Sequence, residues 1–486
     1  MKTIKDLTPR EIWSNFEALT QVPRPSGHLQ KIQSFLLKWA KKADVEAFQD
    51  EAGNIIMKKP ATPGYENKQT VILQAHMDMV PQKLEGHHHI FHEHAIKTVV
   101  DGDWLKAVGT TLGADDGIGV ASIMAVMEAK DLKHGPLEAL ITADEETGMY
   151  GAFGLQPGEL SGTILLNLDT EDEGELIIGC AGGVDVTASL EYKEVPCDKE
   201  DIAMKIVIRG LLGGHSGLEI NQNRANANKM MARIVRAAIS DDAARLASWH
   251  GGNMRNAIPR ECTAVVTIPA DNKEDFIDLI HYCKKMFVDE LKDVETDGFE
   301  LFVEEVKLPS NQVPVEIQDN LVNVIYASQN GVMRNIPTIP TIVETSSNLA
   351  IVDIEEGKAT IDVLVRSSSE SMKEYLATSL ECGFSMAGMK VMMSGSYSGW
   401  EPNTSSPIVK AMTQSYEKQF GTPCKVQVVH AGLECGIIGA TMPGLDMVSF
   451  GPTLRSPHTP QERCYIPSVT KYWDFLKATL EQIPEK

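Results

Sequence analysis

The sequence predicts an α/β protein: a layered α/β domain, split in the chain, into which a separate α+β domain is inserted. Three observations predict it. Short apolar runs alternate with amphipathic stretches over the first 180 or so residues, the pattern of strands interleaved with helices. After Gly182-Gly183 the pattern changes to a series of strands and helices that recurs once, and from Trp400 the first style returns. At 486 residues the chain is long for a single core and suggests two or three domains.

Thr8-Pro9-Arg10-Glu11 has the form of a capping box with Pro at the first helical position, which predicts a helix over 9–19. Leu29, Ile32, Phe35, Leu36 and Trp39 recur at helical spacing and mark a second helix. Strands follow at 54–58 and 71–75, a helix at 117–129, and strands at 137–143 and 163–168. Between 184 and 399 the expected elements are a strand at 204–209, a helix at 221–240, a strand at 261–269, a helix at 274–291 and a strand at 299–306. The recurrence is a helix at 315–329, strands at 341–354 and 358–366, a helix at 369–382 and a strand at 390–397. A helix at 407–420 and strands at 424–430 and 447–451 complete the split domain. The boundaries are therefore 1–183 with 400–486 for one domain, and 184–399 for an inserted domain of two related halves.

A 43% hydrophobic and 23% charged composition is that of a soluble globular protein. The net charge of −22 argues against nucleic-acid partners and anionic membranes. No apolar run approaches the length of a membrane span, and the N-terminus lacks the apolar stretch of a secretory signal. Eight scattered cysteines without a CxxC pair read as reduced thiols of a cytoplasmic protein.

The chemistry is concentrated at predicted strand ends. His76-Met77-Asp78 follows the apolar run 71–75, and three acidic clusters occupy similar positions: Asp115-Asp116, Glu145-Glu146 and Asp169, with His458 late in the chain. Side chains just past the C-terminal ends of strands converge on the crevice above a sheet. The set His76, Asp115, Glu145/Glu146, Asp169 and His458 is limited to nitrogen and oxygen donors, which favours zinc, manganese or cobalt in a catalytic site. Two histidines and three carboxylates exceed the needs of one ion with an open position and suit two ions that share a carboxylate. Asp115, entering a helix between small residues, is the expected bridge.

In this order the motifs HMD, GADDG, DEE, LD and SPH resemble those of the co-catalytic di-zinc peptidase and aminoacylase family, and within it the aminoacyl-histidine dipeptidase branch. The resemblance extends through residues 76–83, 109–115, 213–217 and 430–436 and so covers both domains. It implies that His76 and Asp169 hold one ion, Glu146 and His458 the other, and that Asp115 bridges them. It further implies that Asp78 orients the His76 imidazole, that Glu145 is the general base, and that the Asp115–Asp116 peptide is cis. The inserted domain becomes a lid in which His215 faces the oxyanion of the intermediate, Arg366 binds the substrate's terminal carboxylate, and Asn256 and His430 line the pocket. The implied activity is hydrolysis of unblocked dipeptides, Xaa-His such as carnosine among them, by a protein expected to form a homodimer through the lid. An N-acyl amino acid amidohydrolase, a tripeptide aminopeptidase and a metal-binding protein without catalysis are the alternatives. Retention of Glu145 beside the ligands speaks against the last of these, since a pure binder needs no base. The tract Gly86-His87-His88-His89-Ile90-Phe91-His92-Glu93-His94 departs from the family; five histidines so close together could hold a further ion or form a variable loop.

Overall fold

The computed structural model describes residues 3–295 and 298–486. It divides into two compact units: Met1–Gly179, Trp400–Val428 and Leu433–Lys486 form the first, and Cys180–Gly399 with Val429–Gly432 the second.

The first unit is built on an eight-stranded sheet in the order Glu46–Gln49, Ile55–Lys59, Leu137–Thr142, Val71–His76, Ile164–Asn167, Asp446–Ser449, Glu175–Cys180, Lys425–Val429. Its four central strands, from Leu137–Thr142 to Asp446–Ser449, run parallel. Val71–His76 and Leu137–Thr142 are buried along their whole length. That is why they read as unbroken apolar runs: a parallel strand covered on both faces has no reason to alternate. Helices Arg10–Thr20, Gln30–Ala43, Ala114–Glu128, Pro407–Phe420 and Ile466–Glu481 share the core with this sheet through Trp13, Phe16, Leu36, Ile123, Met412 and Phe475. Ala114–Glu128 is buried through Met127, so its sequence carries no amphipathic stripe. A small antiparallel sheet, Leu454–Arg455, Arg463–Tyr465, Trp104–Ala107 and Thr98–Asp101, supports the hairpin that bears His458.

The second unit shows how its halves are related. The order strand Asp201–Arg209, helix Ala227–Asp241, strands Arg245–Gly251 and Cys262–Pro269, helix Lys273–Leu291, strand Glu300–Val306 is a βαββαβ unit. The same order recurs as strand Gly182–Glu191, helix Val315–Ala327, strands Ile339–Glu355 and Lys358–Ser367, helix Glu370–Met386, strand Lys390–Tyr397. The halves are therefore nested rather than consecutive: the whole first half is inserted after the first strand of the second. They join edge to edge, Trp249–Gly251 pairing with Val352–Ile354, into one continuous sheet.

Several local expectations change. Helix Arg10–Thr20 starts one residue late, with Pro9 at its N-cap after a cis Thr8–Pro9 bond, so Thr8 does not cap it. Its carbonyl instead accepts from the Trp13 indole at 3.2 Å. The helix expected from 221 begins at Ala227, because Ile220–Gln222 is a 3-10 turn ending at a left-handed Asn223, and Asn226 then caps the Lys229 amide.

Candidate active site

Three of the expected positions lie at or just past the C-terminal end of a parallel strand. His76 is the last residue of Val71–His76, Glu145 and Glu146 lie in the turn after Leu137–Thr142, and Asp169 is two residues past Ile164–Asn167. Asp115 stands in the first turn of Ala114–Glu128 with non-helical torsions, and the Asp115–Asp116 peptide is cis, as the resemblance implied. His458, in the loop between Leu454–Arg455 and Arg463–Tyr465, has a positive φ of 58°.

These side chains converge on Asp115. One of its oxygens lies 3.0 Å from His76 Nε2 and the other 3.1 Å from His458 Nε2. Asp169 Oδ1 is 3.6 Å from the same His76 nitrogen, and Glu146 Oε2 is 3.1 Å from His458 Nε2. The donors thus fall into three overlapping groups, His76–Asp115–Asp169, Asp115–Glu146–His458 and His76–Glu145–Glu146, with Asp115 in the first two. The other Glu146 oxygen is buried without a partner, as a residual cation ligand would be. Burial pushes Asp169 up to about 6 and raises Glu145 and Asp116 well above the carboxylate range. Burial also opposes ionisation of Asp115, yet hydrogen bonds from His458 and His76 hold its carboxyl low. Hydrogen bonds to Asp115 and Glu146 push His458 up to about 11. So much negative charge in a buried pocket is stable only when compensated, and the paired donor groups fit two divalent cations.

Around the ligands is a frame that holds them. Asp78 lies 3.3 Å from His76 Nδ1 and accepts from the Glu145 and Glu146 amides at 3.0 and 3.2 Å, which fastens the Glu145–Glu146 turn beside the strand end that carries His76. Glu462, fully buried, accepts from the amides of Leu112, Gly113, Ala114 and Asp115 at 2.7–3.3 Å. Arg24 approaches the same segment from its other polar groups, donating to the carbonyls of Gly113, Met77 and Asp78. A Cβ on Gly117 would collide with the Arg24 guanidinium. One layer below, Gln74 and Thr142 donate to the buried Glu434 carboxylate at 2.6 and 2.7 Å, and Asn167 donates to Gln74 at 2.5 Å. This row ties together the three strands that deliver His76, Glu145–Glu146 and Asp169.

The second unit has a polar cluster of its own. His215, in the short strand Gly214–His215, accepts at Nδ1 from the amides of Gly217 and Leu218 at 3.1 and 3.0 Å. The neutral ring then carries its proton on Nε2, and burial and Arg366 lower its pKa. The Asn256 carbonyl accepts from the Ser216 amide, while Asn256 itself is exposed. Arg366 is buried, its Nη1 on the Tyr397 hydroxyl at 3.0 Å and its Nε unpartnered. His430 Nε2 meets Ser346 Oγ at 2.7 Å, and burial, Arg366 and His215 push it down to about 3. Among the described residues no carboxylate forms a salt bridge with this buried guanidinium, which leaves its positive charge uncompensated.

Residues 72–482 match peptidase family M20/M25/M40. The chain belongs to this family. It is 39% identical over 488 residues to the cytosol non-specific dipeptidase of Escherichia coli (strain K12), covering 100% of both chains. The crystal structure of aminoacylhistidine dipeptidase from Vibrio alginolyticus superposes with a TM-score of 0.95 at 41% identity, covering 100% of this chain and 99% of that one. An aminopeptidase from Bacillus cereus shares the fold, with a TM-score of 0.57 at 16% identity over 98% and 99% of the two chains.

Sequence reasoning missed Arg24, Glu462 and Tyr397 in this M20 peptidase. Glu462 stands four residues after His458, and Arg24 lies between two prolines, neither a pattern with a chemical signature. The histidine tract does not form a ligand set among the described residues: no three of its nitrogens fall within 4.8 Å of one another, and its rings stand 5.5–6.4 Å apart.

Two outcomes follow for metal binding. Glu462→Gln turns an N–H group toward the amides it now receives, and metal affinity should fall by about 10–100-fold in a chelator competition while circular dichroism stays native. Protons and cations compete for His76 and His458, both with pKa raised above the usual imidazole value of about 6.5. Both nitrogens stay protonated at neutral pH until a cation displaces the protons, so apparent affinity should rise with pH, by up to about tenfold per unit for each proton released. The rise should continue past pH 7.5; a plateau at pH 7 in the same titration would contradict it.

Proposed function

We propose that this M20 peptidase hydrolyses unblocked dipeptides, Xaa-His dipeptides such as carnosine among them, with two zinc ions; cobalt or manganese would suit the same donors. The observation that carries the reading is Asp115 shared between the groups His76–Asp115–Asp169 and Asp115–Glu146–His458, with Glu145 beside them in a third group with His76 and Glu146. Full-length similarity to two dipeptidases supports the substrate class.

His76 and Asp169 would hold one ion, Glu146 and His458 the other, and Asp115 both. When bound, such ions polarise a carbonyl and lower the pKa of water. Glu145 takes the proton from the attacking water and returns it to the leaving amine; burial raises its pKa above the usual carboxylate value. Asp78 keeps the His76 ring and the Glu145 turn aligned. His215, with its proton on Nε2, supplies a donor to the oxyanion of the tetrahedral intermediate, an interaction worth about 3 kcal/mol. Arg366 takes the terminal carboxylate of the dipeptide, and Asn256 and His430 line the pocket around it.

The chain is further proposed to act as a cytosolic homodimer. All eight cysteines are thiols, and no helix of the described residues is long and apolar enough to cross a membrane. Strand Lys390–Tyr397 is a sheet edge beside helix Glu370–Met386, and between them they expose Tyr375, Met386, Met392 and Met393, a surface open to pairing with a second copy.

Glu145→Ala should retain both ions by elemental analysis and lose about 10²–10⁴-fold in kcat on Leu-Gly; undiminished turnover would remove Glu145 from its role. A zinc-loaded sample should cleave carnosine and Leu-Gly in preference to a tripeptide and to N-acetylornithine. Cleavage of the acetylated compound alone would replace dipeptide hydrolysis with deacylation.

A further inference from the structure

Among the described residues, Tyr397 is the side chain that hydrogen-bonds the buried Arg366 guanidinium, and the sequence clears a path for it. In the second unit's sheet, Gly182–Glu191 lies between Lys358–Ser367 and Lys390–Tyr397. Gly183 is paired with Arg366 on one side and with Tyr397 on the other. A residue with a side chain at 183 would stand between them: a Cβ there would lie 2.7 Å from Tyr397 Cε1 and 2.8 Å from its hydroxyl. Gly432 is equally bare beneath the other edge of the ring, where a Cβ would meet Cε2 at 3.1 Å. Tyr397 thus lies across a strand, between two glycines, with its oxygen 3.0 Å from Arg366 Nη1. Its main chain is held in place as well, by Lys373 Nζ on the Tyr397 carbonyl at 2.5 Å and by Glu370 on the Gly399 amide at 2.8 Å.

The direction of that hydrogen bond decides what Tyr397 can do. The guanidinium has only donors, so the phenol oxygen accepts, and the phenol's own proton points elsewhere. Burial holds the phenol protonated. Ser346, the cross-strand partner of Arg366, is engaged with His430, while Cys180 and Asp185 lie close enough to Tyr397 to disfavour its ionisation. Arg366 Nε is likewise a donor in search of an acceptor.

We propose that the Tyr397 hydroxyl is a second donor to the terminal carboxylate of the substrate, completing with Arg366 a subsite that selects peptides with a free C-terminus, and that Gly183 exists to admit its ring. The proposal rests on the reading of Arg366 as the carboxylate anchor. Arg366 alone would attract any anion; a neutral O–H at a set angle beside it rewards a carboxylate in one position.

The test compares Leu-Gly with Leu-Gly amide, as substrates and as competitive inhibitors, for wild type, Tyr397→Phe and Gly183→Ala. Tyr397→Phe keeps the ring in its slot and removes only the hydroxyl. The preference for the free dipeptide should fall about 10–100-fold, the loss of one hydrogen bond to a charged group, and should fall through KM with kcat largely kept. Gly183→Ala, which displaces the ring, should lose at least as much preference. A wild-type preference that survives Tyr397→Phe overturns the assignment of Tyr397 and leaves Arg366 standing. A wild-type enzyme that treats the two peptides alike overturns the Arg366 reading and this one with it. An equal loss on both peptides in Tyr397→Phe would show a structural role and overturn the proposal.

Discussion

The carboxylate of Asp115 sets the terms for the first unit. Its two oxygens each face a histidine, and it can do so only if the main chain around it is fixed to a few tenths of an ångström. The solution is electrostatic as much as steric. Four amides from Leu112 to Asp115 converge on one buried Glu462 oxygen pair, while Arg24 takes the carbonyl of Gly113 in the middle of the same segment. A segment whose donors and acceptors are both satisfied by buried charges of opposite sign cannot slide. The same Arg24 holds the carbonyls of Met77 and Asp78, so the strand end that delivers His76 and the turn that delivers Asp115 are fastened to one guanidinium.

Parallel strands suit this task. Their C-terminal ends leave the sheet side by side, so Gln74, Asn167 and Thr142 come into contact one layer beneath the ligands, with Glu434 joined to them. Each is a polar residue in an otherwise apolar strand, which is costly unless every partner is present. The network registers the strands that carry His76, Asp169 and the Glu145–Glu146 turn, much as second-layer hydrogen bonds orient metal ligands generally.

Most of the architecture, and the candidate side chains that converge on Asp115, were legible in the sequence for a common reason. Buried parallel strands announce themselves as apolar runs, and polar side chains placed at their ends announce themselves as breaks in those runs: 71–75 ending at His76 is both signals at once. The nested second unit was legible only in part. Its recurrence is visible from 315 to 397, but the first strand of that half, Gly182–Glu191, lies before the first half in sequence, so its apolar–polar alternation from Val184 to Glu191 is separated from the elements it pairs with. Strand Arg245–Gly251, which joins the halves, was missed as well; it carries Trp249 and His250 among small residues, and a bulge breaks its pairing after Leu246. Glu462 and Arg24 were invisible because their work is done on main-chain groups. Any segment offers amides and carbonyls, so a residue that binds them leaves no complementary residue to find.

Glycine is where the two kinds of legibility meet. Gly182-Gly183 was read as a boundary, a place where one pattern gives way to another, and at the level of composition that is all it shows. In the folded chain Gly183 lies inside a strand, with a φ that needs no exemption from ordinary backbone limits. Its reason is lateral: the space its side chain would fill is taken by the ring of Tyr397. Strand interiors disfavour glycine, which surrenders conformational freedom and packs nothing. A glycine there marks a close approach from outside its own strand, and what approaches here is the ring whose hydroxyl accepts from the buried Arg366 guanidinium.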